Sequence, residues 1–380
     1  MQSNHSVFDS EHYENVRKPL RQAQTLPGWC YSSNEFYQRE IENIFKPGWT
    51  FIGRVDEIEN PGDYLTAQTV FGPILIVRDE SETIHAFVNA CRHRGTQLLD
   101  GSGQCQKIVC PYHSWVYALN GNLERAQGMD GIDDFNRSEH ALVPLRYEVW
   151  DGFVFVTSDR NNETLGEYLG DMPQRFAQYK PQELVTTRRV EFEIRCNWKL
   201  LIENALEAYH TGTVHRSTLG QQNWENVQTE GNWDALIVLD ELSVATLPKQ
   251  PATLPEIEGL SGDAKRGMYF ICIYPCTQFV FAQDCMWWMH IHPTGVDSCH
   301  LTLGSCFPQS TLGHPQFDEL VKHYYQRWDT ATPEDNHIAE LQQIGQRADS
   351  RTPGRFAMSE FAVHNLANWV LDRVLDDLRP

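Results

Sequence analysis

The chain has 380 residues, 41% of them hydrophobic and 22% charged, with a formal net charge of −20 at pH 7. Such an acidic surface repels phosphate backbones and anionic lipid, which argues against nucleic-acid and membrane-surface roles and would draw in a cation more readily than an anion. No run approaches the roughly 18 apolar residues that span a bilayer, and the polar stretch from Met1 to Glu14 does not read as a secretory signal, so a cytoplasmic protein is expected.

The length exceeds the roughly 250–300 residues at which single cores stop growing, so two domains are expected. Residues 1–40 read as a lead-in around the turn Leu26-Pro27-Gly28-Trp29, packing on the C-terminal domain. Residues 41–160 read as a compact antiparallel β domain. Short β-branched or aromatic runs (Tyr64 to Val70, Pro73 to Arg78, Ile84 to Asn89 and Gly152 to Thr157) alternate there with turn residues. Residues 161–380 change character: Leu165 to Tyr179 is helix-like, Val185 to Cys196 strand-like and Trp198 to His210 helix-like. Aromatic strands return at Gly267 to His292 and His300 to Phe307, before helices at Gln316 to Thr330, Pro333 to Arg347 and Glu360 to Leu378. Thr332 followed by Pro333 suits an N-cap and first helical position. The fold class is therefore α+β, with an antiparallel sheet flanked by helices in the second domain.

Ten cysteines do not form a dense disulfide ladder, and most, such as Cys272, Cys276 and Cys285, sit among apolar neighbours as small buried hydrophobes. Cys91 and Cys110 differ. Residues 91–94 read Cys-Arg-His-Arg and 110–113 read Cys-Pro-Tyr-His, giving C-x-H, sixteen residues, then C-x-x-H. Two thiolates and two imidazoles could take zinc, but zinc modules usually group like ligands. One thiolate and one imidazole per arm suits a Rieske [2Fe–2S] centre, with Cys91 and Cys110 on one iron and His93 and His113 on the other. Arg92, Arg94 and Lys107 make a basic rim that is either solvated charge or a docking patch for an acidic electron donor.

A second constellation lies near residue 200. His210 and His215 are five apart, about 140° around an ideal helix, so Gly212 is expected to break the helix and swing His215 back. A carboxylate would complete the 2-His-1-carboxylate triad of oxygen-activating Fe(II). Asp335 is the preferred third ligand, with Glu334 as its helix-dipole neighbour and Glu360 the alternative. Glu207, three residues before His210, can accept a hydrogen bond from that imidazole and fix its tautomer.

With these motifs the chain resembles the α subunits of Rieske-type mononuclear non-haem iron oxygenases. Pro61-Gly62-Asp63-Tyr64, Asn89 to Gly95, Cys110 to Trp115 and Asn197-Trp198-Lys199 carry the resemblance. Glu334-Asp335 with Glu340, Gln343, Glu360, His364 and Trp369 is similar to the choline, carnitine and glycine-betaine monooxygenase branch. The resemblance implies a cluster on Cys91, His93, Cys110 and His113, and a catalytic iron on His210, His215 and Asp335. It further implies a homotrimer in which electrons cross between subunits, with Glu207 as the bridge where most of the family has aspartate. Dioxygen would be co-substrate, with NAD(P)H and flavin acting indirectly through a flavin- and iron–sulfur-containing reductase.

The preferred substrate is a quaternary or tertiary ammonium compound, undergoing N-demethylation or C–N cleavage. Phe279, Phe281, Trp287 and Trp288 are candidate pocket aromatics, because aromatic faces attract alkylammonium. Two alternatives stand beside this. One is ring hydroxylation or O-demethylation of an aromatic acid, which would want an inward Arg195, Lys199 or Arg266. The other is a non-enzymatic electron carrier, which needs the first constellation alone.

Overall fold

A computed structural model describes residues 6–158, 163–240, 243, 245–250 and 254–375. The chain divides into two compact units, Lys46–Leu165 and, joined together, residues 1–45 with Gly166 onward. The lead-in thus groups with the C-terminal unit. Residues 161–162 of the expected domain boundary, and 376–378 of the expected last helix, lie outside the described residues.

The first unit is built from small antiparallel sheets. Strands β1 (Thr50–Arg54), β10 (Phe153–Thr157) and β9 (Arg146–Trp150) pair in that order. A second sheet runs β4 (Ile84–Val88), β3 (Gly72–Arg78), β2 (Asp63–Thr69), β5 (Ser102–Gln104). A third joins β6 (Ile108–Val109), β7 (Val116–Tyr117) and β8 (Leu123–Arg125). The alternation of β3 feeds two cores: Ile74 and Ile76 pack with Ile52, Leu65 and Val154, whereas Leu75 and Val77 pack with Cys91, Cys110, Trp115 and Tyr117. The second core holds the two cysteines in place.

The second unit is built on a seven-stranded antiparallel sheet. Its order is β11 (Leu184–Ile194), β17 (Ser298–Pro308), β16 (Met286–Gly295), β15 (Thr277–Phe281), β14 (Gly267–Ile273), β13 (Trp233–Leu239) and β12 (Trp224–Val227). The predicted helix over Leu165–Tyr179 is instead Leu165–Leu169 and Met172–Phe176. Gly170 separates them at φ +60°, where a Cβ would collide with the Glu230 carbonyl, so no side chain fits.

Helix α1 (Asn34–Glu40), in the lead-in, is tied to α2 (Trp198–Ala205) through buried charge. Lys199 Nζ donates to Glu40 Oε1 at 2.5 Å, and Trp198 Nε1 donates to Glu40 Oε2 at 3.1 Å. Removing either partner alone would leave an uncompensated buried charge, costing roughly 3–5 kcal/mol. Asn197 caps α2, its Oδ1 accepting from Lys199 N at 3.1 Å, and its own N–H donates to Gln343 Oε1 at 2.8 Å. Lys199 therefore points to Glu40. The other two candidate inward cations also turn elsewhere: Arg195 is largely exposed beside Glu340, and Arg266 pairs with Asp263 on the surface.

The long helix departs from the sequence reading. Pro333 does not open a new helix; a single helix α4 runs Phe317–Gln346 with Pro333 inside it, followed by α5 at Phe361–Val374. An interior proline forfeits one ladder hydrogen bond and costs about 3 kcal/mol. Packing holds the helix together across it. Tyr324 and Trp328 contact Phe307, Trp328 contacts Trp287, and Gln343 binds the α2 cap. Glu334 and Asp335 consequently sit mid-helix, so neither caps a helix nor faces a helix N-terminal dipole.

Candidate functional site

In the first unit, two loops present the four predicted cluster residues by the same backbone device. Cys91 N donates to Thr96 O and its carbonyl accepts from Gly95 N; Cys110 N donates to Trp115 O and its carbonyl accepts from Ser114 N. Each loop closes through a residue at positive φ, Gly95 at 76° and Ser114 at 53°. Both thiols are buried, and Cys91 Sγ lies 3.3 Å from the Tyr117 hydroxyl. Burial raises the Cys91 thiol, which favours the neutral form unless a cation takes the proton's place. His93 and His113 bring their Nδ1 atoms to 3.2 Å, with His93 stacked on Trp115. Two buried thiols and two imidazole nitrogens turned to one another fit the donor set of a Cys₂His₂ cluster. Of the basic rim, Arg92 and Arg94 are exposed, with Arg94 donating to the Tyr112 hydroxyl, whereas Lys107 is paired with Glu124 at 2.6 Å.

The second constellation forms where the predicted helix Trp198–His210 stops early. Helix α2 ends at Ala205, before a short turn of helix, α3 (Thr211–Val214), carries the chain on. The break lies at Leu206 to His210, and Gly212 sits inside α3 rather than making the break. Glu207 accounts for this. Its Oε2 accepts from the backbone N–H of Tyr209 and of His210, in the turn that separates α2 from α3. Its Oε1 accepts from His210 Nδ1 at 2.7 Å. Glu207 therefore orients His210 and ends the helix at once.

His210, His215 and Asp335 bring one ligand atom each within 4.8 Å of one another. Asp335 Oδ1 stands 3.4 Å from His210 Nε2 and 3.0 Å from His215 Nε2. It is nonetheless a buried oxygen that neither imidazole meets with hydrogen-bond alignment. The outward nitrogens are each held: His210 Nδ1 by Glu207, and His215 Nδ1 by Glu334 Oε2 at 2.6 Å, which also accepts from Thr218 Oγ1. Carboxylate–imidazole pairs of this kind fix which nitrogen faces a metal. Without a cation, burial pushes His210 down, but Asp335 and Glu207 outweigh it and hold it up at about 9. Burial likewise pushes Asp335 up, and the two imidazoles outweigh that and hold it below the usual range. Two inward nitrogens and a misaligned buried oxygen fit a divalent cation of the facial-triad kind. Glu334 thus orients His215, and Glu360 stays outside the trio.

The trio opens on a cavity of about 90 Å³. Helix α4 lines it with Arg327, Trp328, Ala331, Thr332, Asp335 and Asn336, a helical face at steps of one and three to four residues. Among the four candidate aromatics only Trp287 reaches it. Side chains alternate along a strand, so Trp287 and Met289 face the cavity while Trp288 faces away, over Arg189. Gln278 of β15 faces in, which turns Phe279 and Phe281 to the other side, where Phe281 packs on Phe176 and Tyr179. Phe270 and Trp328 supply the remaining aromatic walls. The α4 periodicity through residue 336 was the available signal for Trp328 and Arg327; taking Pro333 as a helix start hid it. A second, larger space of about 440 Å³ touches the outer side of His210 and is lined by Glu203, Glu207, Arg351 and Glu360.

A Cys₂His₂ pair of loops and a partly buried two-histidine, one-carboxylate trio together define an iron-dependent oxygenase that receives electrons at one centre and uses them at another. Sequence comparison agrees. A Rieske [2Fe–2S] domain matches residues 48–136, and the catalytic domain of the ring-hydroxylating α subunits matches residues 181–376. The carnitine monooxygenase oxygenase subunit of Acinetobacter pittii is 31% identical over 265 residues, covering 68% of each chain. The chloroplastic choline monooxygenase of Spinacia oleracea is 29% identical over 96% of this chain and 82% of its own. The crystal structure of the quaternary ammonium Rieske monooxygenase CntA with L-carnitine superposes with a TM-score of 0.77 at 25% identity, over 92% of this chain and 96% of that one. The chain belongs to the Rieske ring-hydroxylating oxygenase α subunits. It is an oxygenase with a Rieske cluster and a mononuclear iron as cofactors and dioxygen as co-substrate, so the electron-carrier alternative is set aside. No helix among the described residues is long and apolar enough to cross a membrane.

Proposed function

We propose that this oxygenase inserts one oxygen atom of dioxygen into a C–H bond beside the nitrogen of a quaternary or tertiary ammonium compound. The hydroxylated carbon then releases the amine as its C–O bond becomes C=O, giving N-demethylation or C–N cleavage. Two external electrons and two protons reduce the other oxygen atom to water. The observation that carries this reading is the opening of the His210–His215–Asp335 trio onto a cavity walled by Trp287, Trp328 and Phe270. Each aromatic face attracts an alkylammonium by about 0.5–2 kcal/mol. The named carnitine and choline monooxygenases support it.

On this reading Cys91, His93, Cys110 and His113 hold the cluster, and His210, His215 and Asp335 hold the iron, which supplies oxygen activation when bound. The other residues position and exclude. Glu207 and Glu334 hold the imidazoles with Nε2 inward; Leu201, Leu236, Val238 and Leu301 keep water from the reacting carbon. Glu207 also lines the outer space beside His210 and would carry electrons from the cluster of a neighbouring copy within a homotrimer. A solved relative is described as revealing inter-subunit electron transfer, which supports that route. A flavin- and iron–sulfur-containing reductase using NAD(P)H would supply the electrons, in the cytoplasm.

A panel of alkylammonium compounds and aromatic acids, scored by coupled NADH and dioxygen consumption, tests the substrate. Amine and aldehyde should appear in equal amounts from the ammonium compounds. Formaldehyde from aromatic ethers alone would defeat the reading in favour of its rival, an O-demethylase or ring hydroxylase of aromatic acids. One observation favours that rival: the cavity contains a buried guanidinium, Arg327. For the route, Glu207→Gln should keep both metal centres yet slow single-turnover oxidation of the reduced cluster about 10- to 100-fold. An unchanged rate would show that electrons pass elsewhere.

A further inference from the structure

We propose that Glu203, in the space on the outer side of His210, supplies one of the two protons consumed with the electrons when dioxygen is reduced. The inference rests on the oxygenase chemistry, and neither on the ammonium reading nor on Glu207 as the electron route.

The oxygen atom that leaves as water takes up two electrons and two protons, and the groups around the trio are ill suited to giving a proton. Glu207 and Glu334 act there as acceptors, from backbone N–H groups, imidazole nitrogens and the Thr218 hydroxyl. The rest of the oxygenation cavity is walled by amides, hydroxyls and apolar groups, together with Arg327, which burial lowers only to about 10. A donor is therefore to be sought beyond that cavity. Two spaces adjoin at this point: Asn204, Glu207 and His210 line both the oxygenation cavity and the outer space of about 440 Å³. Glu203, the residue before Asn204 on α2, lines the outer space alone.

The Tyr31 hydroxyl, itself buried, donates to Glu203 Oε1 at 2.7 Å, which leaves Oε2 as the oxygen to carry a proton. The surroundings favour keeping one there. Lys199 donates to Glu40 at 2.5 Å, and Arg351 donates to the Leu26 carbonyl at 2.9 Å and to Thr25 Oγ1 at 3.4 Å, so both neighbouring cations are bonded elsewhere. Cys30, whose thiol burial raises, stays neutral beside them. Glu207 and Glu360 line the same space, where a further negative charge is disfavoured. Burial thus outweighs Tyr31, Lys199 and Arg351 and lifts Glu203 to about 7, so its proton is held yet readily released at neutral pH, as a general acid requires. On release the Oε2–H bond breaks and its electron pair stays on the carboxylate, which the Tyr31 hydroxyl stabilises. A proton from solvent then restores the acid. The outer space, with Asn204, Gln342 and Gln346 in its lining, is wide and polar enough for bridging water. Glu203 acts through that water, on the side of His210 away from the substrate.

The test pairs a titration with a rate, both on the intact, iron-loaded oxygenase. Infrared spectra should show a protonated-carboxyl band that disappears with a midpoint near pH 7 and is missing from Glu203→Gln. The rate is that of cluster oxidation when the reduced protein meets dioxygen, with whichever compound of the alkylammonium and aromatic-acid panel speeds it most, or with none. In wild type it should fall about tenfold per pH unit above the midpoint. Glu203→Gln should be at least about tenfold slower at pH 6 and flat with pH, and Glu203→Asp should recover part of both rate and slope. Iron content and reduced-cluster EPR should be unchanged. Tyr31→Phe removes a hydrogen bond that favours the carboxylate, so the break should move to higher pH; this variant decides the matter if Glu203→Gln loses iron. A wild-type rate flat through neutral pH, or a fall that persists in Glu203→Gln, overturns the proposal. So does a break unmoved in Tyr31→Phe, or a carboxyl band that remains in Glu203→Gln.

Discussion

The two histidine-bearing centres solve the same problem, bringing candidate iron ligands together, by different physical means. In the Cys91 and Cys110 loops the backbone does the positioning: matched carbonyl and N–H bonds close each loop, and positive φ at Gly95 and Ser114 completes the turn. The ligands there are local in sequence, and His93 reaches the surface. In the His210–His215–Asp335 trio the side chains do the positioning. Partly buried carboxylates hold each imidazole, and the candidate third ligand arrives from a helix more than a hundred residues away. A centre that passes electrons gains from an exposed edge. One that handles substrate and dioxygen gains from burial and from control of its protons. The comparison shows why one centre tolerates sequence-local construction and the other does not.

The sharpest way to break this comparison is to remove one ligand from each centre. Asp335→Ala should lower oxygenation by at least about 100-fold and cut iron from three to two per chain, with the reduced Rieske EPR signal intact. Cys110→Ser should do the converse, abolishing that signal while one iron stays bound. If either substitution emptied both centres, they would not be independent sites.

A smaller effect is expected from the carboxylate behind His215. Glu334→Ala should weaken iron binding about 10- to 100-fold, measured by competition with a chelator, and Glu334→Gln by less because an amide oxygen can still accept from Nδ1. Unchanged affinity in Glu334→Ala would mean that α4 alone fixes the ring.

The smallest effect concerns stability. Burial, only partly offset by the Tyr31 hydroxyl and by Lys199 and Arg351, lifts the Glu203 carboxyl from 4.5 to about 7. Above pH 4.5 the unfolded chain ionises this group while the folded chain keeps it protonated to about 7, so its contribution to stability falls over that window and then levels. Glu203→Gln should flatten the profile, changing little at pH 5 and gaining about 1–3 kcal/mol at pH 8 by thermal or urea unfolding. A gain as large at pH 5 would assign the effect to packing.

The candidate cluster residues were readable because C-x-H and C-x-x-H place a thiol and an imidazole within one turn of chain, where backbone geometry alone brings them together. The α+β architecture was readable too, because strands and helices announce themselves by period. That His210, His215 and Asp335 come together was readable in the residues, but not how they are brought together. Glu207 breaks the helix with a side-chain-to-backbone bond that no propensity describes, and Pro333 sits inside a helix that packing on Trp287 and Phe307 keeps whole. Strand alternation was equally visible, yet it left two choices of face, and only the sheet's packing turned Trp287 inward and Trp288, Phe279 and Phe281 outward.

By itself, then, the sequence determined the kinds of ligand, the two-centre plan and the fold class, all of which depend on residue type and short spacing. Tertiary structure decided which carboxylates stand behind the histidines, which aromatics wall the cavity, and that a guanidinium lies within it. The physical reason is that these choices turn on which face of a helix or strand is buried against partners distant in the chain, and local periodicity is the same for either face.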